Sequence, residues 1–274
     1  MIKNKRIVIC GGAGTIGSEL ARQLSKNNKI FILDNNESGV FNIVQELKDY
    51  WIRPRVGDIR DRATIKDLFE DFKPQLIINA AALKHVHFSQ IYPRDYVDTN
   101  IIGNLNLLEE AKRWECLEKY IFISTDKVHS KSIMGSTKKC SEAITTAMGG
   151  IAVRFGNVLG SRGSLIPIWE EKINKGEAIT ITDERMTRYM MTIEEACTLV
   201  IKATEEGKGG EVFILDMGKP IKILELAQNL VKSMSRNIPI EIIGIRPGEV
   251  LDEKLMTDEE EKQAIKQEEF FIIK

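Results

Sequence analysis

The sequence predicts an α/β fold with a doubly wound parallel sheet, because short apolar runs alternate with helix-compatible stretches through its first half. The runs have the length and composition of buried parallel strands, and the stretches between them repeat apolar residues at helical spacing. The connections between them are short, as is usual in such folds. Strands are expected at residues 6–10, 30–33, 55–56, 76–79 and 120–123.

The composition is that of a soluble globular protein and excludes several classes of function. Among 274 residues, 43% are hydrophobic and 29% are charged, and the net charge of −1 offers no general attraction for nucleic acid or an anionic membrane. No apolar run is long enough to span a bilayer, and the first strand begins almost at Met1 without a signal peptide, so we expect a cytoplasmic protein. The four cysteines and three histidines lack metal-ligand spacing, so no metal is expected.

A glycine-rich turn follows the first predicted strand and precedes a predicted helix. Gly11, Gly14 and Gly17 allow a tight turn, close approach of a pyrophosphate and close packing of that helix, whose N-terminus offers free N–H groups. The next strand ends at Asp34, 20 residues beyond Gly14, where a carboxylate can bind the ribose hydroxyls of an adenosine and repel a 2′-phosphate. The sequence therefore predicts a Rossmann-type domain that binds NAD in preference to NADP.

Two other stretches of this half face the same edge of the predicted sheet. Asp58, in the turn after the third strand, is suited to accept from the adenine amino group or to cap a helix. Ala80 and Ala81 follow the fourth strand, and their small side chains would let the backbone lie close to a cofactor.

A polar segment, residues 124–138, follows the fifth predicted strand at the sheet edge where open α/β folds bind ligands. It combines a pair of hydroxyl groups with Asp126, Lys127 and Lys138, a set that can perform acid–base chemistry on a bound sugar or alcohol. A polar loop without a catalytic role is the alternative interpretation.

The strand–helix regularity loosens in the second half of the chain. We predict a dinucleotide-binding domain over residues 1–157, to which a strand at 212–217 returns, and a smaller, interleaved substrate lobe over residues 158–274. Arg188 and Arg246 lie in different segments of this lobe and are suited to converge on a diphosphate, although from the residues alone a surface salt bridge is the favoured interpretation of each.

Several motifs coincide along nearly the whole chain, and together they resemble those of a known family. The sequence resembles an extended short-chain dehydrogenase/reductase and, more closely, the nucleotide-sugar 4,6-dehydratases that act on UDP-N-acetylglucosamine in bacterial polysaccharide biosynthesis. The motifs are Gly11-x-x-Gly14-x-x-Gly17, residues 57–61 and 79–86, Ser124-Thr125-Asp126-Lys127, Met134-Gly135-Ser136-Thr137-Lys138, residues 153–160, 163–167 and 186–192, and Arg246-Pro247-Gly248-Glu249.

One position departs from the superfamily pattern. A Tyr-x-x-x-Lys motif is usual there, and Met134 occupies the position of the tyrosine, although methionine has no proton to exchange. Within the dehydratases, methionine at this position resembles the members that retain the configuration at carbon 5. The resemblance therefore implies the configuration-retaining enzyme; an inverting dehydratase, a UDP-sugar 4-epimerase and a non-catalytic NAD-binding regulator remain alternatives.

The resemblance implies a three-part reaction and a role for each polar residue. Carbon 4 of the sugar is oxidised, water is eliminated across carbons 5 and 6, and hydride returns to carbon 6, giving UDP-2-acetamido-2,6-dideoxy-α-D-xylo-hexos-4-ulose. Thr125 is expected to bind the carbon-4 oxygen, with Asp126 as the acid and Lys127 as the base of the elimination. Lys138 is expected to hold the nicotinamide ribose. Either Asp126 or a water would deprotonate the carbon-4 hydroxyl.

The resemblance also implies which other residues bind the cofactor and the substrate, and it suggests a homo-oligomer. The cofactor residues expected are Gly11, Gly14, Thr15, Ile16, Gly17, Asp34, Asp58, Ile59, Ala80, Ala81, Lys84, Asn100 and Lys138. The substrate residues expected are Lys84, His85, Asn157, Ser164, Leu165, Thr180, Thr182, Arg188, Arg246 and Glu249.

Overall fold

A nine-stranded sheet forms the centre of the protein, whose computed structural model describes residues 1–274. The strands of the chain are β1 (Arg6–Cys10), β2 (Lys29–Asp34), β3 (Ile52–Val56), β4 (Leu76–Asn79), β5 (Lys119–Ile123), β6 (Ile151–Arg154), β7 (Asn157–Val158), β8 (Ile179–Ile181), β9 (Thr187–Arg188), β10 (Met190–Met191), β11 (Val212–Leu215), β12 (Ile221–Lys222), β13 (Ile240–Ile242), β14 (Ile265–Lys266) and β15 (Phe270–Ile273).

Helices connect these strands and cover both faces of the sheet. They are α1 (Thr15–Ser25), α2 (Glu37–Glu46), α3 (Arg62–Phe72), α4 (Val86–Ile91), α5 (Pro93–Tyr96), α6 (Asn104–Ala111), α7 (Ile133–Ala147), α8 (Leu165–Lys175), α9 (Ile193–Glu206), α10 (Ile223–Ser233) and α11 (Asp258–Gln263). A π-helix spans Val97–Gly103 and a 3-10 helix spans Asp126–His129. No helix is long and apolar enough to cross a bilayer.

The order of the sheet is β14-β15-β11-β6-β5-β4-β1-β2-β3. Seven neighbouring strands from β11 to β3 are parallel, and β15 and β14 add an antiparallel edge. The chain reverses direction across the sheet between β1 and β4, which places a ligand-binding crevice at the carboxyl ends of these strands. The doubly wound α/β fold predicted from the sequence is confirmed.

Alternate side chains of the buried strands point to opposite faces of the sheet and pack in two separate hydrophobic cores. In β1, Ile7 and Ile9 belong to the cluster under α1, α2 and α9, whereas Val8 and Cys10 belong to the cluster under α3 and α6. This two-sided burial explains why the strands are continuously apolar rather than alternating. Strand β3 at the edge is longer than predicted, because an edge strand tolerates Pro54.

A smaller core lies outside the large sheet. Helices α8 and α10 pack with the β8–β13 pair around seven buried side chains, and Trp169 is the largest of them. The indole of Trp169 donates to the carbonyl of Thr180 at 3.1 Å, so its one polar atom is satisfied. This lobe contains four of the residues for which substrate contacts were predicted, namely Leu165, Thr180, Thr182 and Arg188.

Besides the return of residues 212–217 that was predicted, the chain crosses between the two cores at α9 and at β15. Helix α9 packs against α1, and β11 and β15 pair within the large sheet. Residues 158–274 are therefore not one continuous lobe. The second core is built from residues 165–191 and 221–242, and the intervening and final segments return to the dinucleotide domain.

Substitution Trp169→Ala should destabilise the protein by about 3–5 kcal/mol, because it leaves a cavity in a small core and removes a buried hydrogen bond. Ile168→Ala on the same helix is the matched control; its side chain is 44% exposed, and a change of about 0.5 kcal/mol or less is expected. Urea unfolding of both variants measures the difference. Equal stabilities would contradict the packing described for this lobe.

Candidate active site

The glycine turn between β1 and α1 forms a close-packed cradle. A Cβ on Gly17 would lie 2.2 Å from the carbonyl oxygen of Gly11, and Gly11 itself has φ of +71°, a conformation that favours glycine. Gly14 precedes the first residue of α1, Thr15, and no side chain caps this N-terminus. The first N–H groups of α1 are thus free to bind an anion, which fits the pyrophosphate of a dinucleotide.

Asp34 lies beside this turn at the carboxyl end of β2. Its Oδ2 accepts from the backbone N–H of Ala13 at 3.0 Å, and its Oδ1 accepts from that of Asn36 at 2.9 Å. These two bonds fix the carboxylate against the glycine turn and leave lone pairs for further donors. A ribose with free hydroxyls suits this position, whereas a 2′-phosphate would meet a negative charge.

Asp58 is less free than the sequence suggests. The guanidinium of Arg60 donates to both carboxylate oxygens, at 3.0 and 2.7 Å, and this pairing lowers the pKa of Asp58. Ile59 is buried against the π-helix, where a Cβ on Gly103 would lie 2.6 Å from its side chain. In this structure Asp58 stabilises its own turn by binding Arg60, and Ile59 packs against Gly103 of the π-helix.

The segment after β4 lies directly against the glycine turn. A Cβ on Gly11 would approach the backbone of Ala80 and Ala81 to within 2.8 Å, so the two loops are in contact. Asn100, in the π-helix, fixes the same segment by exchanging two hydrogen bonds with the backbone of Leu83, at 2.9 and 3.0 Å. A π-bulge often marks a functional site, and here it orients the buried amide of Asn100.

Asp126 is the centre of the polar segment after β5. Its side chain is 0% exposed, and its Oδ1 accepts from the hydroxyl of Thr125 at 3.0 Å and from the ammonium of Lys127 at 2.9 Å. Lys127 also donates to Oδ1 of Asn157 at 2.8 Å. Oδ2 of Asp126 is buried without a partner. One oxygen of the carboxyl group is thus held by two donors, and the other has no hydrogen-bond partner in this structure.

Lys138 is the last residue of this polar segment and lies on α7. Its Nζ donates to the carbonyl of Ile123 at 2.5 Å and lies 4.2 Å from the ring centroid of Phe122. Burial lowers the pKa of Lys138 from 10.5 to about 7, against the opposing charge of Glu142. Met134, one turn earlier on α7, is 2% exposed. No hydroxyl occupies the Met134 position, so proton transfer there needs another group.

A loop from the second half of the chain lies across the glycine turn. The backbone N–H of Arg162 donates to Oγ1 of Thr15 at 3.1 Å, and its guanidinium donates to the carbonyl of Ala13. Lys84 donates to the carbonyl of Arg162 at 2.7 Å. Burial and the charge of Arg162 lower the pKa of Lys84, and burial with the charge of Lys84 lowers that of His85. Hydrogen bonds therefore join the glycine turn, where a cofactor is predicted to bind, to the loop of Arg162 and to Lys84.

The residues predicted to contact the sugar nucleotide in the smaller lobe lie in or beside its core. Ser164 precedes α8 and has a buried hydroxyl without a partner, and Leu165 is the first residue of that helix. Thr180 is half-buried within β8. Thr182 follows β8, and its hydroxyl contacts Sδ of Met186 at 3.2 Å.

Arg188 does not present its guanidinium to a diphosphate in this structure. It is buried, and it donates to the carbonyls of Val250 and Leu251, both at 2.8 Å. Arg246 is exposed, and its backbone N–H donates to the carboxylate of Glu249 at 3.2 Å. The predicted convergence of the two arginines is thus not observed, because buried carbonyl groups take up the donors of Arg188.

A network of buried ion pairs lies next to the polar segment and contacts it through Ser124 and His129. Arg154 at the end of β6 is 0% exposed and donates to Glu142 at 2.5 Å and to Glu260 at 2.9 Å. Ser124 donates to Glu142 at 2.6 Å, and Nε2 of His129 lies 3.1 Å from Glu260. The guanidinium and the imidazole hold the pKa of Glu260 far below its ordinary value. Four separate elements therefore meet at Arg154.

Residues 7–274 match the model of a family described as polysaccharide biosynthesis protein. The chain belongs to this family. It is 43% identical to the capsular polysaccharide biosynthesis protein CapD of Staphylococcus aureus, over 94% of the chain and 46% of CapD. The chain therefore spans about half the length of that relative.

Two further proteins are similar to this chain over almost its whole length. The inverting UDP-N-acetylglucosamine 4,6-dehydratase of Campylobacter jejuni is 32% identical, over 100% of the chain and 84% of the relative. The solved structure of Pen from Bacillus thuringiensis has a TM-score of 0.94 and 35% identity, over 99% of the chain and 86% of Pen. The polysaccharide-biosynthesis branch inferred from the motifs is confirmed, whereas the retaining stereochemistry remains a prediction.

Several residues of the site were not predicted from the sequence. Arg162 reaches it from an irregular segment, and nothing in its local sequence distinguishes it from a surface charge. Glu142 appears on a helix among other polar residues. Only Arg154 could have been recognised from the sequence. It is a charged residue at the end of an otherwise apolar strand, and a buried charge requires partners.

Lys138→Met should make the stability of the cofactor-free protein less dependent on pH between about 7 and 10. Because the pKa of Lys138 falls from 10.5 to about 7 on folding, the unfolded chain holds a proton in this window that the folded protein lacks, and stability rises with pH. The variant loses this gain, by at least ~1.4 kcal/mol, the equivalent of one pKa unit.

Urea unfolding at several pH values measures this effect, and Lys131→Met is the matched control. Lys131 is exposed on the same segment, so its variant should follow the wild-type pH dependence. If Lys138→Met also follows the wild type, the lowered pKa of Lys138 is wrong.

Proposed function

We propose that the protein is an NAD-dependent UDP-N-acetylglucosamine 4,6-dehydratase of the configuration-retaining type. The reaction comprises oxidation at carbon 4, loss of water across carbons 5 and 6, and reduction at carbon 6. The observation that carries this proposal is the buried Asp126, paired through one oxygen with Lys127 while the other oxygen has no partner. An acid and a base side by side are what an elimination of water requires.

The cradle around the glycine turn fits a dinucleotide. The turn leaves no room for a Cβ at Gly17, α1 offers uncapped N–H groups, and Asp34 favours NAD over NADP. Bound NAD would supply the acceptor for the hydride of carbon 4 and, once reduced, the donor of hydride to carbon 6. Lys138, buried above Phe122, is positioned to hold the nicotinamide ribose at the inner end of this crevice.

The elimination is assigned to three neighbouring side chains. Asp126 donates a proton to the leaving hydroxyl of carbon 6, and Lys127 removes the proton of carbon 5. Thr125, held to Asp126 at 3.0 Å, binds the carbon-4 oxygen. Since the two charged groups share a hydrogen bond of 2.9 Å, the pair exchanges protons as one unit.

The substrate assignment rests on the rim of the crevice and on the relatives. Lys84, His85 and Asn157 border the site, and exposed Arg246 supplies a cation without a side-chain partner for the diphosphate. The Campylobacter relative named above is a UDP-N-acetylglucosamine 4,6-dehydratase, which supports the same sugar nucleotide here. The proposal includes a cytoplasmic location and a homo-oligomer, which the resemblance favours.

The inverting reaction is the second candidate, because that relative is an inverting enzyme. Met134 favours retention, because methionine at this position resembles the dehydratases that retain the configuration at carbon 5. A 4-epimerase would return its product without losing water, and a non-catalytic NAD-binding regulator would not require the buried Asp126–Lys127 pair.

Incubation of the purified protein with UDP-N-acetylglucosamine and no added cofactor tests the proposal. Mass spectrometry should show the loss of one water, and NMR of the product should show retained configuration at carbon 5. An inverted product would favour the second candidate. Recovery of the intact sugar nucleotide would overturn the substrate assignment.

Asp126→Asn and Lys127→Ala should each reduce the rate of water loss by roughly 100-fold or more, because each removes one proton-transfer group. The NAD content of both variants, measured by absorbance and extraction, should remain that of the wild type. Lys131→Ala, an exposed lysine on the same segment, should retain wild-type activity. Dehydration at the wild-type rate in either of the first two variants would refute the assigned roles.

A further inference from the structure

Arg162 lies in a short loop that the mechanism above does not use. The loop joins β7 to α8. Gly160 and Gly163 flank Ser161 and Arg162, and both have a positive φ, +67° and +69°, a conformation that favours glycine. The N–H of Ser164 closes the loop by donating to the carbonyl of Ser161 at 2.9 Å. The sequence of this loop therefore specifies a compact turn with Arg162 at its centre.

Three hydrogen bonds join Arg162 to the dinucleotide half of the chain. Its N–H donates to Oγ1 of Thr15 at 3.1 Å, and its guanidinium donates to the carbonyl of Ala13. Its own carbonyl accepts from Nζ of Lys84 at 2.7 Å. Thr15 is the first residue of α1, whose N-terminus no side chain caps. The loop therefore lies against the turn where the pyrophosphate of a dinucleotide is expected.

Two cations thus lie at the glycine turn without an ion-pair partner. The side chains of Lys84 and Arg162 donate to main-chain carbonyls, and neither forms a salt bridge with a carboxylate. Like charges repel each other, and an anion bound between them turns this repulsion into attraction. The first N–H groups of α1 add positive potential at the same place. The local charge therefore fits a diphosphate better than a neutral ligand.

We propose that Arg162 is a cofactor-retaining residue whose guanidinium binds the pyrophosphate of the dinucleotide, an inference that rests on the proposed function. One of its nitrogens, Nη2, donates to Ala13, and the remaining donors are suited to phosphate oxygens. Because the hydride taken from carbon 4 returns to carbon 6, the reaction needs no exchange of cofactor. Release of the reduced cofactor before that return would leave the reaction incomplete, so slow release serves the chemistry.

Arg162→Ala tests the proposal through release of the cofactor rather than through activity. The protein is loaded with NADH and mixed with an excess of NAD, and the fall in fluorescence of bound NADH gives the release rate. The variant should release NADH roughly 10- to 100-fold faster than the wild type, the loss expected for a hydrogen bond to a charged group. Arg162→Lys keeps the charge without the planar fork and should give an intermediate rate.

Arg236→Ala is the matched control, since Arg236 is an exposed arginine of the smaller lobe that follows α10. It removes the same charge away from the glycine turn, so the release rate of NADH should stay within about twofold of the wild type. If Arg162→Ala releases NADH at the wild-type rate, and raises only KM for the sugar nucleotide or changes nothing, the proposal is overturned.

Adenosine binding separates a phosphate contact from a structural role at the turn. The N–H of Ala13 donates to Asp34 and its carbonyl accepts from Arg162, so a loop that only stabilised Ala13 would also affect the ribose site. Adenosine has no phosphate, and its affinity for Arg162→Ala, measured by calorimetry, should stay within about twofold of the wild type. Equal losses of affinity for adenosine and for NADH would overturn the proposal.

The release and adenosine measurements need no sugar nucleotide, so they are independent of the proposed substrate. Faster release of NADH with unchanged adenosine affinity would support the role of Arg162 even if UDP-N-acetylglucosamine proved not to be the substrate. Unchanged release would overturn that role even if the enzyme dehydrated this sugar.

Discussion

The buried guanidinium of Arg154 is the interaction on which the geometry of the site depends. It joins the end of β6 to Glu142 on α7 and to Glu260 on α11. Helix α7 carries Lys138, and Glu142 also binds Ser124 at the start of the polar segment. A buried ion pair often adds little net stability, but loss of one partner leaves an uncompensated charge. The network therefore serves mainly to fix β6, α7, α11 and the polar segment relative to one another.

The dinucleotide half was predictable because its signals are local. Continuous apolar runs specify strands buried on both faces, and glycines with a strand-ending acid specify the turn that Asp34 braces through the N–H of Ala13. The capping box that Thr192 and Glu195 form at the start of α9 is another local feature, since its two residues lie within one turn of the helix. Strand β3 was assigned too short, because Pro54 disfavours a strand unless that strand lies at an edge, and edge position is not a local property.

The second half was predicted less well because its contacts join distant parts of the chain. A permanently charged Arg188 suggested a phosphate ligand, but its donors are taken by carbonyls at Val250 and Leu251, more than 60 residues later. The sequence indicated only one return of the later chain to the first domain, at residues 212–217, whereas α9 and β15 also join the large sheet through tertiary packing. The type of a residue shows which groups its side chain is able to bind. The tertiary structure determines which of those groups it contacts.

The absence of a hydroxyl at Met134 determines how this site has to work. A phenol would provide an acid–base group at one fixed distance from Lys138, and the buried thioether provides none. In the proposed mechanism proton transfer passes instead to Asp126, which is completely buried and hydrogen-bonded through one oxygen only. A carboxyl group so enclosed depends on neighbouring protein groups, rather than on water, for its hydrogen bonds. Lys127 is its one charged hydrogen-bond partner, and Oδ1 of Asn157 accepts from the same ammonium at 2.8 Å.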